Sequence, residues 1–177
     1  QMKETAENAN PLTHLPGNNA IQAEINKRIN IKAKFAVIYG DLDNFKAYND
    51  AYGIEKGDQV IQFSAQLLKE AISKHGSSND FLGHEGGDDF VMVTTPTHAQ
   101  TIADYVLREF GERIKIFYTE EDRKKGFVMG RERRSPDALE EEPRLVPFSL
   151  VSISLAGISN ENRDFANYAD LTNYLVE

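Results

Sequence analysis

Two adjacent carboxylates on a glycine turn are the side chains of this sequence best placed for chemistry. Asp88 and Asp89 follow a Gly-Gly pair at 86–87 and lie between two short runs, 81–84 and 90–94, that are typical of strands. Glycine tolerates the positive φ that tight hairpin turns need, so this pattern alone predicts an ordinary hairpin with solvated acids. Acids gathered on a turn also suit a metal ion, and a second acidic cluster would favour that interpretation.

The second acidic cluster lies far upstream, where an apolar run ends. Residues 35–39 predict a buried strand that leads into Asp41 and Asp43. These two acids are two positions apart, so an extended backbone points both side chains to one face. If this strand end faces the hairpin, the carboxylates can share Mg²⁺ (or Mn²⁺). Mg²⁺ favours oxygen ligands and is typically held by one or two carboxylates together with substrate phosphates.

A series of motifs in one order resembles the GGDEF family of diguanylate cyclases. In chain order these motifs are 11–18, 41–46, Asn49-Asp50, Gly53, Gly57-Asp58, 86–90 and 151–156. The resemblance covers nearly the whole chain, and several spaced motifs are far more specific than one glycine pair.

The activity implied by this resemblance is condensation of two GTP molecules into cyclic di-GMP with release of pyrophosphate, in bacterial second-messenger signalling. Each 3′-hydroxyl would attack the α-phosphate of the other nucleotide in line, while metal and donors stabilise charge on the phosphoryl oxygens. The resemblance further implies one half-site per subunit, hence a homodimer, and control by a sensor region outside this chain.

The position of each residue in the family motif implies its role. Asp41, the Leu42 carbonyl, Asp88 and Asp89 correspond to the metal site, and Asp88 is also implied to help deprotonate the attacking hydroxyl. Asp88, Asp89 and Lys46 form the implied catalytic set. A flexible lysine ammonium suits the task of offsetting phosphate charge.

Asn49 and Asp58 resemble the guanine-binding residues of the family. A carboxylate acceptor suits guanine because its N1 and N2 both donate, a pair that adenine lacks. Found singly, Lys46 would be interpreted as a surface lysine and Asn49 as part of a helix end or turn. Phe45 and Phe90 are assigned to packing behind the acidic turns.

Three departures from the family pattern leave a second function open. Asp89 stands where the family usually has Glu, which retracts the carboxylate by about 1.5 Å, and misplacement of this order can cost on the order of a hundredfold in rate. Ser77 falls near the arginine of the family's inhibitory product site, so only Asp80 of that pair remains and product feedback is predicted to be absent. The chain ends at Glu177, near the place of a phosphate-binding lysine. The alternative is therefore a catalytically silent GGDEF module that binds GTP or a protein partner.

Composition fits one domain and excludes several classes of function. The chain has 177 residues, of which 40% are hydrophobic, no cysteine and a formal charge of −8. This length predicts a single domain over 11–177 after a linker remnant at 1–10. The acidic balance argues against DNA or RNA as partners. The absence of cysteine, of a long apolar run and of a secretory pattern leads us to expect a cytoplasmic location with no membrane span within this chain.

Hydrophobic periodicity predicts a mixed α/β (α+β) fold. Helical stripes recur at 21–29, 60–72 and 102–110, and strands are predicted at 113–119, 126–130 and 145–157, with a closing helix at 165–175. This order favours a mostly antiparallel sheet flanked by helices, and the resemblance sharpens it to the palm-like sheet of nucleotidyl cyclases.

A charged segment at 120–144 is predicted to form an extended exposed hairpin. It is dense in Glu, Lys and Arg and is longer than the usual connection in the family. It is either a solvated loop or a partner or regulatory surface, and the sequence does not decide between them.

Overall fold

The computed structural model describes residues 9–132 and 144–175. Its regular elements, in chain order, are α1 (Asn18–Asn30), β1 (Ala36–Asp43), α2 (Phe45–Tyr52), α3 (Ile54–His75), β2 (Phe81–Gly86), β3 (Asp89–Thr94), α4 (Pro96–Arg113), a 3₁₀ helix (Ile114–Phe117), α5 (Glu120–Lys125), β4 (Phe127–Arg131), β5 (Leu145–Ser149), β6 (Ser152–Ser159) and α6 (Tyr168–Asn173).

Four strands form an antiparallel sheet in the order β2-β3-β1-β6. The central strand β1 pairs with β3 from Ala36 to Asp41 and with β6 from Ala36 to Asp43. The prediction of an antiparallel sheet flanked by helices is confirmed.

Alternating side chains of β1 and β3 serve two separate cores, one on each face of the sheet. Val37 and Val91 pack with α1 and α6 on one face, while Ile38 and Met92 pack with α3 and α4 on the other. Because a strand side chain alternates between faces, apolar residues at consecutive positions are what a strand buried on both sides requires. The sheet is thus held between two helical layers, and its end carries the acidic residues.

The strand predicted at 145–157 is two strands in two different sheets. β5 pairs with β4 in a separate two-stranded sheet, whereas β6 pairs with β1. The break falls at Leu150 and Val151, where the Val151 N–H donates to the Tyr118 hydroxyl (2.8 Å) instead of continuing a ladder. The predicted strand at 126–130 is confirmed as β4, shifted by one residue.

The predicted strand at 113–119 is wrong. Arg113 ends α4 and the chain continues directly into the 3₁₀ helix. Ile114 and Tyr118 are buried while Ile116 is 71% exposed, and this spacing fits a helical turn better than the alternation of a strand.

The predicted hairpin over 120–144 is partly wrong. Its first residues form α5, where the Thr119 hydroxyl accepts from the Asp122 N–H at the N-terminus and Gly126 follows the last turn with φ of 78°. Acids in the first turn and bases in the last complement the helix dipole. β4 and β5 do pair as a hairpin, and the tip at 133–143 lies outside the described residues.

The closing helix is shorter than predicted. It spans Tyr168–Asn173, and Asn167 caps it by accepting from the Asp170 N–H. None of the helices in the described part of the chain is long and apolar enough to span a membrane.

We expect Tyr118→Phe to lower the free energy of unfolding by about 1–3 kcal/mol. The substitution removes the acceptor of the buried Val151 N–H, and an unpaired buried donor carries a desolvation penalty of that order. Urea unfolding monitored by circular dichroism measures the change. Tyr174→Phe, at a ring that is 46% exposed, is the matched control. Equal stability of the two variants would contradict a stabilising role for the Val151–Tyr118 hydrogen bond.

Candidate active site

The turn between β2 and β3 places two carboxylates at one end of the sheet. Gly86 and Gly87 have φ values of 129° and 54°, which residues with a Cβ adopt at a cost, so the turn requires glycine. Asp88 lies in the turn and Asp89 begins β3. The predicted glycine hairpin is therefore present.

The end of β1 brings a third carboxylate to this turn. Asp41 lies opposite Asp89 in the β1–β3 register. Single carboxylate oxygens of Asp41, Asp88 and Asp89 all lie within 4.8 Å of one another. Ligands on opposite sides of Mg²⁺ stand about 4.2 Å apart, since each bond is about 2.1 Å. The cluster is thus close to the size of one coordination sphere.

Crowding and burial disfavour the charged forms of two of these acids. Burial, with Asp88 and Asp41 as the next causes, raises the pKa of Asp89 to about 6. Burial and then the nearby Asp41 carboxylate raise the pKa of Asp88 above its ordinary value. A divalent cation would relieve this repulsion, so the donor set fits a hard oxygen-binding metal.

Asp43 and Leu42 follow Asp41 in β1 and differ in their contacts and burial. The Asp43 carboxylate accepts from the hydroxyls of Ser152 (2.8 Å) and Ser154 (2.5 Å) on β6, so it is engaged across the sheet. Leu42 is 3% exposed, in the core, yet it lines the cleft. The role of its carbonyl as a metal ligand stays a prediction.

The first turns of α2 form the next part of the cleft wall. Lys46 lies in the first turn and is exposed, and Asn49 lies one turn later. Both line the same cleft as Asp41 and Asp88. The N-terminus of a helix adds unpaired N–H groups and a partial positive charge, which favour anions.

The Asn49 side chain has a buried acceptor with no partner among the described residues. Its Oδ1 makes no hydrogen bond there. Gly57 of α3 packs directly on this amide, since a Cβ at that position would come within 1.7 Å of Oδ1. An unpaired buried amide is costly, and such groups in native structures often serve a ligand.

Asp58 lies outside the lining of the cleft that holds Asn49. It follows Gly57 in α3 and is exposed. Asp89, the first residue of β3, belongs to the carboxylate cluster but also lies outside the cleft lining.

The opposite wall of the cleft is the β4–β5 hairpin, which sequence reasoning did not assign to the site. β4 lies against α2, and the hairpin residues that line the cleft are Met129, Gly130, Arg131, Glu132, Leu145 and Phe148. Alternating apolar residues in 127–131 and 145–149 signal two strands, but nothing in that signal says that they pack on α2. The hairpin adds Arg131 to Lys46 as a second cation of the described lining. The cleft volume is about 1520 Å³, above the roughly 300–1000 Å³ of typical ligand pockets.

Asp80, the remaining residue of the expected product site, is engaged within its own loop. Its carboxylate accepts from the Ser77 hydroxyl (2.7 Å), the Ser77 N–H (2.9 Å) and the Thr94 hydroxyl (2.9 Å). These contacts give Asp80 a structural role at the start of β2. The absence of product feedback stays a prediction.

We expect Asp89→Asn to stabilise the metal-free protein at pH 7 and to have little effect near pH 4. The folded pKa of about 6 lies above the ordinary 3.8, so folding favours the protonated form and the carboxylate lowers stability once pH rises above 4. The gain should be about 1 kcal/mol after allowance for solvent screening. Thermal unfolding with a chelator, from pH 4 to 8, measures it. Saturating Mg²⁺ should remove or reverse the gain in stability. A gain that does not depend on pH would contradict the explanation that the raised pKa of Asp89 causes it.

Comparison with known proteins agrees with this geometry. The family described as "Diguanylate cyclase, GGDEF domain" matches residues 8–130. A diguanylate cyclase of Vibrio cholerae is 40% identical over 75 residues, covering 41% of this chain and 22% of that protein. The signaling protein YkoW of Bacillus subtilis is 30% identical over 114 residues, covering 59% of this chain and 14% of that protein. The matches thus span less than a quarter of the length of these relatives.

Solved structures share the fold at low sequence identity. The diguanylate cyclase SiaD of Pseudomonas aeruginosa, solved with its activator SiaC, superposes with a TM-score of 0.65 at 17% identity, covering 97% of this chain and 56% of SiaD. The GGDEF domain of DgcB from Caulobacter crescentus, solved with c-di-GMP, gives 0.57 at 20% identity, covering 87% and 78%. Because the family match extends over more than half of the sequence, this chain belongs to the GGDEF domain family of metal-dependent nucleotide cyclases.

Proposed function

We propose that this chain is a diguanylate cyclase domain that condenses two GTP molecules into cyclic di-GMP with release of pyrophosphate. The observation that carries the proposal is the cluster of Asp41, Asp88 and Asp89, whose oxygens lie within 4.8 Å of one another beside a cleft that also holds Lys46 and Asn49. Such a cluster supports metal-assisted chemistry on a nucleoside triphosphate more directly than it supports a module that binds only a protein partner.

The same cluster is the proposed site of Mg²⁺ or Mn²⁺, with the Leu42 carbonyl as a further ligand. When bound, the metal would neutralise phosphate charge and polarise the α-phosphate. Asp88 is also proposed to accept the proton of the 3′-hydroxyl, since its carboxylate lines the cleft beside the proposed metal site. Asp89 is its neighbour in the proposed catalytic set.

The triphosphate is proposed to lie across the first turn of α2. Lys46 supplies an ammonium there, and the helix N-terminus supplies N–H groups. Arg131 on the facing hairpin adds a second cation on the other side of the cleft. Together they offset the charge that accumulates on the leaving pyrophosphate.

Guanine is proposed to bind at the end of α2 beside Asn49 and Asp58. The unpaired Asn49 Oδ1 matches a donor on the guanine edge. Asp58 lies next to Gly57, which packs on this amide, so a base seated at Asn49 would have Asp58 near it.

The reaction requires a second copy of the domain. Each α-phosphate receives the 3′-hydroxyl of the other nucleotide, so two equivalent clefts must face each other about a twofold axis. We therefore propose a homodimer as the active form, one domain over 11–177, and control by a sensor region elsewhere in a cytoplasmic protein, since the matched relatives are much longer than this chain.

We expect the protein to form cyclic di-GMP from GTP and Mg²⁺, and Asp88→Asn to lower the rate by at least about a hundredfold, because it removes both a ligand and the proposed base. Asp89→Glu should raise the rate, since it extends the carboxylate by about 1.5 Å toward the usual family geometry. Chromatography of the products measures both.

The control for this experiment is Asp164→Asn, at an exposed acid that does not line the cleft. Formation of product by the parent protein excludes the silent module. If calorimetry shows GTP binding while no product forms in either the parent or Asp89→Glu, the cyclase proposal fails and a GTP-binding module is the remaining interpretation.

We expect Asn49→Ala to raise KM for GTP about tenfold, with a smaller effect on kcat. The lost hydrogen bond is to the base rather than to the reacting phosphate, and one such bond corresponds to about 1.4 kcal/mol. Steady-state rates with GTP, and competition by ATP, measure the effect. Asn162→Ala, in an exposed loop, is the control. An unchanged KM and unchanged discrimination against ATP would contradict a guanine site here.

A further inference from the structure

The backbone of the Gly-Gly turn is bound by a buried histidine from the strand that enters it. His84 of β2 is 2% exposed, and its Nε2 lies 2.9 Å from the Gly87 carbonyl oxygen. A carbonyl oxygen can only accept, so Nε2 carries the proton and donates to Gly87. This contact fixes the residue that directly precedes Asp88.

The other ring nitrogen is bound by a residue from the start of the chain. His84 Nδ1 lies 2.9 Å from the Thr13 hydroxyl, and Thr13 is 8% exposed. The Gly87 carbonyl can only accept and therefore sets the proton on Nε2, so Nδ1 accepts from the Thr13 hydroxyl and the neutral ring is hydrogen-bonded at both nitrogens. Burial lowers the pKa of His84, which favours the neutral ring that this arrangement needs.

Further contacts fix the orientation of the ring and of its partner Thr13. The imidazole stacks on Phe90 with ring centroids 4.4 Å apart and an angle of 15°. The Asn10 side chain accepts from the N–H groups of Leu12 and Thr13, which shapes the turn that presents the Thr13 hydroxyl. The backbone N–H of His84 donates to the Pro16 carbonyl (2.9 Å).

The space beside the two glycines of the turn is open. Apart from the residues next to each glycine in the chain, no described heavy atom lies within 4 Å of the position that a Cβ of Gly86 or Gly87 would occupy. Both glycines have positive φ, which glycine adopts more readily than other residues. The His84 hydrogen bond therefore restrains the position of Asp88 in addition to the pairing of Gly86 with Asp89.

We propose that His84 is a positioning residue of the catalytic cluster, which holds the Gly86–Gly87 turn by donating from Nε2 to the Gly87 carbonyl while its Nδ1 accepts from the Thr13 hydroxyl. This inference rests on the proposed metal site, since the position of Asp88 matters through the ion it would hold. Hydrogen-bond partners behind a metal site typically contribute 10–100-fold in affinity, and a displacement of about 1 Å at a reacting centre can cost on the order of a hundredfold in rate.

Three substitutions at one position separate the hydrogen bond from the bulk of the ring. In His84→Gln the side-chain amide can reach Gly87 from a position near that of Nε2. In His84→Asn the amide reaches only the position of Nδ1, and His84→Leu offers no donor. The control is His14→Asn, at an exposed side chain in the same N-terminal turn, where φ of 61° is tolerated by Asn.

Mn²⁺ affinity measured by calorimetry is the first readout, alongside thermal unfolding of each variant. We expect His84→Asn and His84→Leu to bind Mn²⁺ about tenfold more weakly than the parent, and His84→Gln and His14→Asn to stay within about threefold. Folded Asn and Leu variants with parental affinity would overturn the proposal. So would a Gln variant as weak as the Asn variant at equal stability, because that result makes the ring's shape the cause.

Nuclear magnetic resonance gives a second readout that does not depend on metal or activity. Long-range ¹⁵N spectra should show His84 as the neutral Nε2–H tautomer, and the amide signals of Gly87 and Asp88 should shift in His84→Asn but far less in His84→Gln. The Nδ1–H tautomer, or unmoved turn signals in His84→Asn, would overturn the inference. If the parent binds no Mn²⁺ yet these spectra are as expected, the proposed metal site fails while the positioning of the turn stands.

Thr13→Val covers the case in which the His84 variants do not fold. It keeps the shape of the side chain while removing the hydroxyl that binds Nδ1. Because the ring then loses the partner of Nδ1, we expect the Gly87 and Asp88 amide signals to shift in the same direction as in His84→Asn, with the Nε2–H tautomer retained. Unmoved signals of both residues would overturn the role given to Thr13.

Discussion

Repulsion among three carboxylates is the constraint on which the rest of this structure depends. Asp41 lies more than forty residues before the adjacent Asp88 and Asp89 in the sequence, yet single carboxylate oxygens of all three lie within 4.8 Å of one another. Such proximity is unfavourable for charged groups unless a cation lies between them, as the raised pKa values of Asp88 and Asp89 indicate. The folded chain must therefore hold these groups together with interactions made elsewhere.

Those interactions are found in the two cores on either side of the sheet. Fully buried residues of β1 and β3, such as Val37, Val91 and Met92, anchor the two strands that end at the acids. The β1–β3 register fixes Asp41 opposite Asp89, and a slip by one residue would reverse the faces of both cores. Hydrophobic burial thus sets the spacing of charges that would otherwise separate.

Local signals in the sequence predicted the parts of the site that depend on few residues. The apolar run before Asp41 and the Gly-Gly pair before Asp88 specify a strand end and a turn through backbone preference alone, and both are present. The secondary structure of the later part of the chain was harder to predict. Residues 113–119 contain enough β-branched and aromatic residues to suggest a strand, but their buried positions follow a helical spacing that only tertiary contacts with Tyr48 and Val151 make visible.

The place of the β4–β5 hairpin in the cleft wall and the hydrogen bonds of His84 to Thr13 and Gly87 could not be predicted for a related reason. Arg131 lines the cleft because β4 packs on α2, and His84 meets Thr13 across 71 positions of sequence. A lone histidine in an apolar run carries no signal of such a partner. Contacts of this kind belong to the assembled molecule, whereas the strand and turn patterns belong to short segments.

The acids of the cluster differ in how firmly the backbone holds them. Asp41 belongs to a strand that is paired on both sides, so its carboxylate can move little unless the sheet itself opens. Asp88 lies in the turn after Gly86 and Gly87, both of which have positive φ, and this turn is held by the β2–β3 pairing and by the hydrogen bond from His84 to the Gly87 carbonyl. Any relative movement within the carboxylate cluster is therefore expected from the turn at the end of the sheet rather than from the strand that carries Asp41.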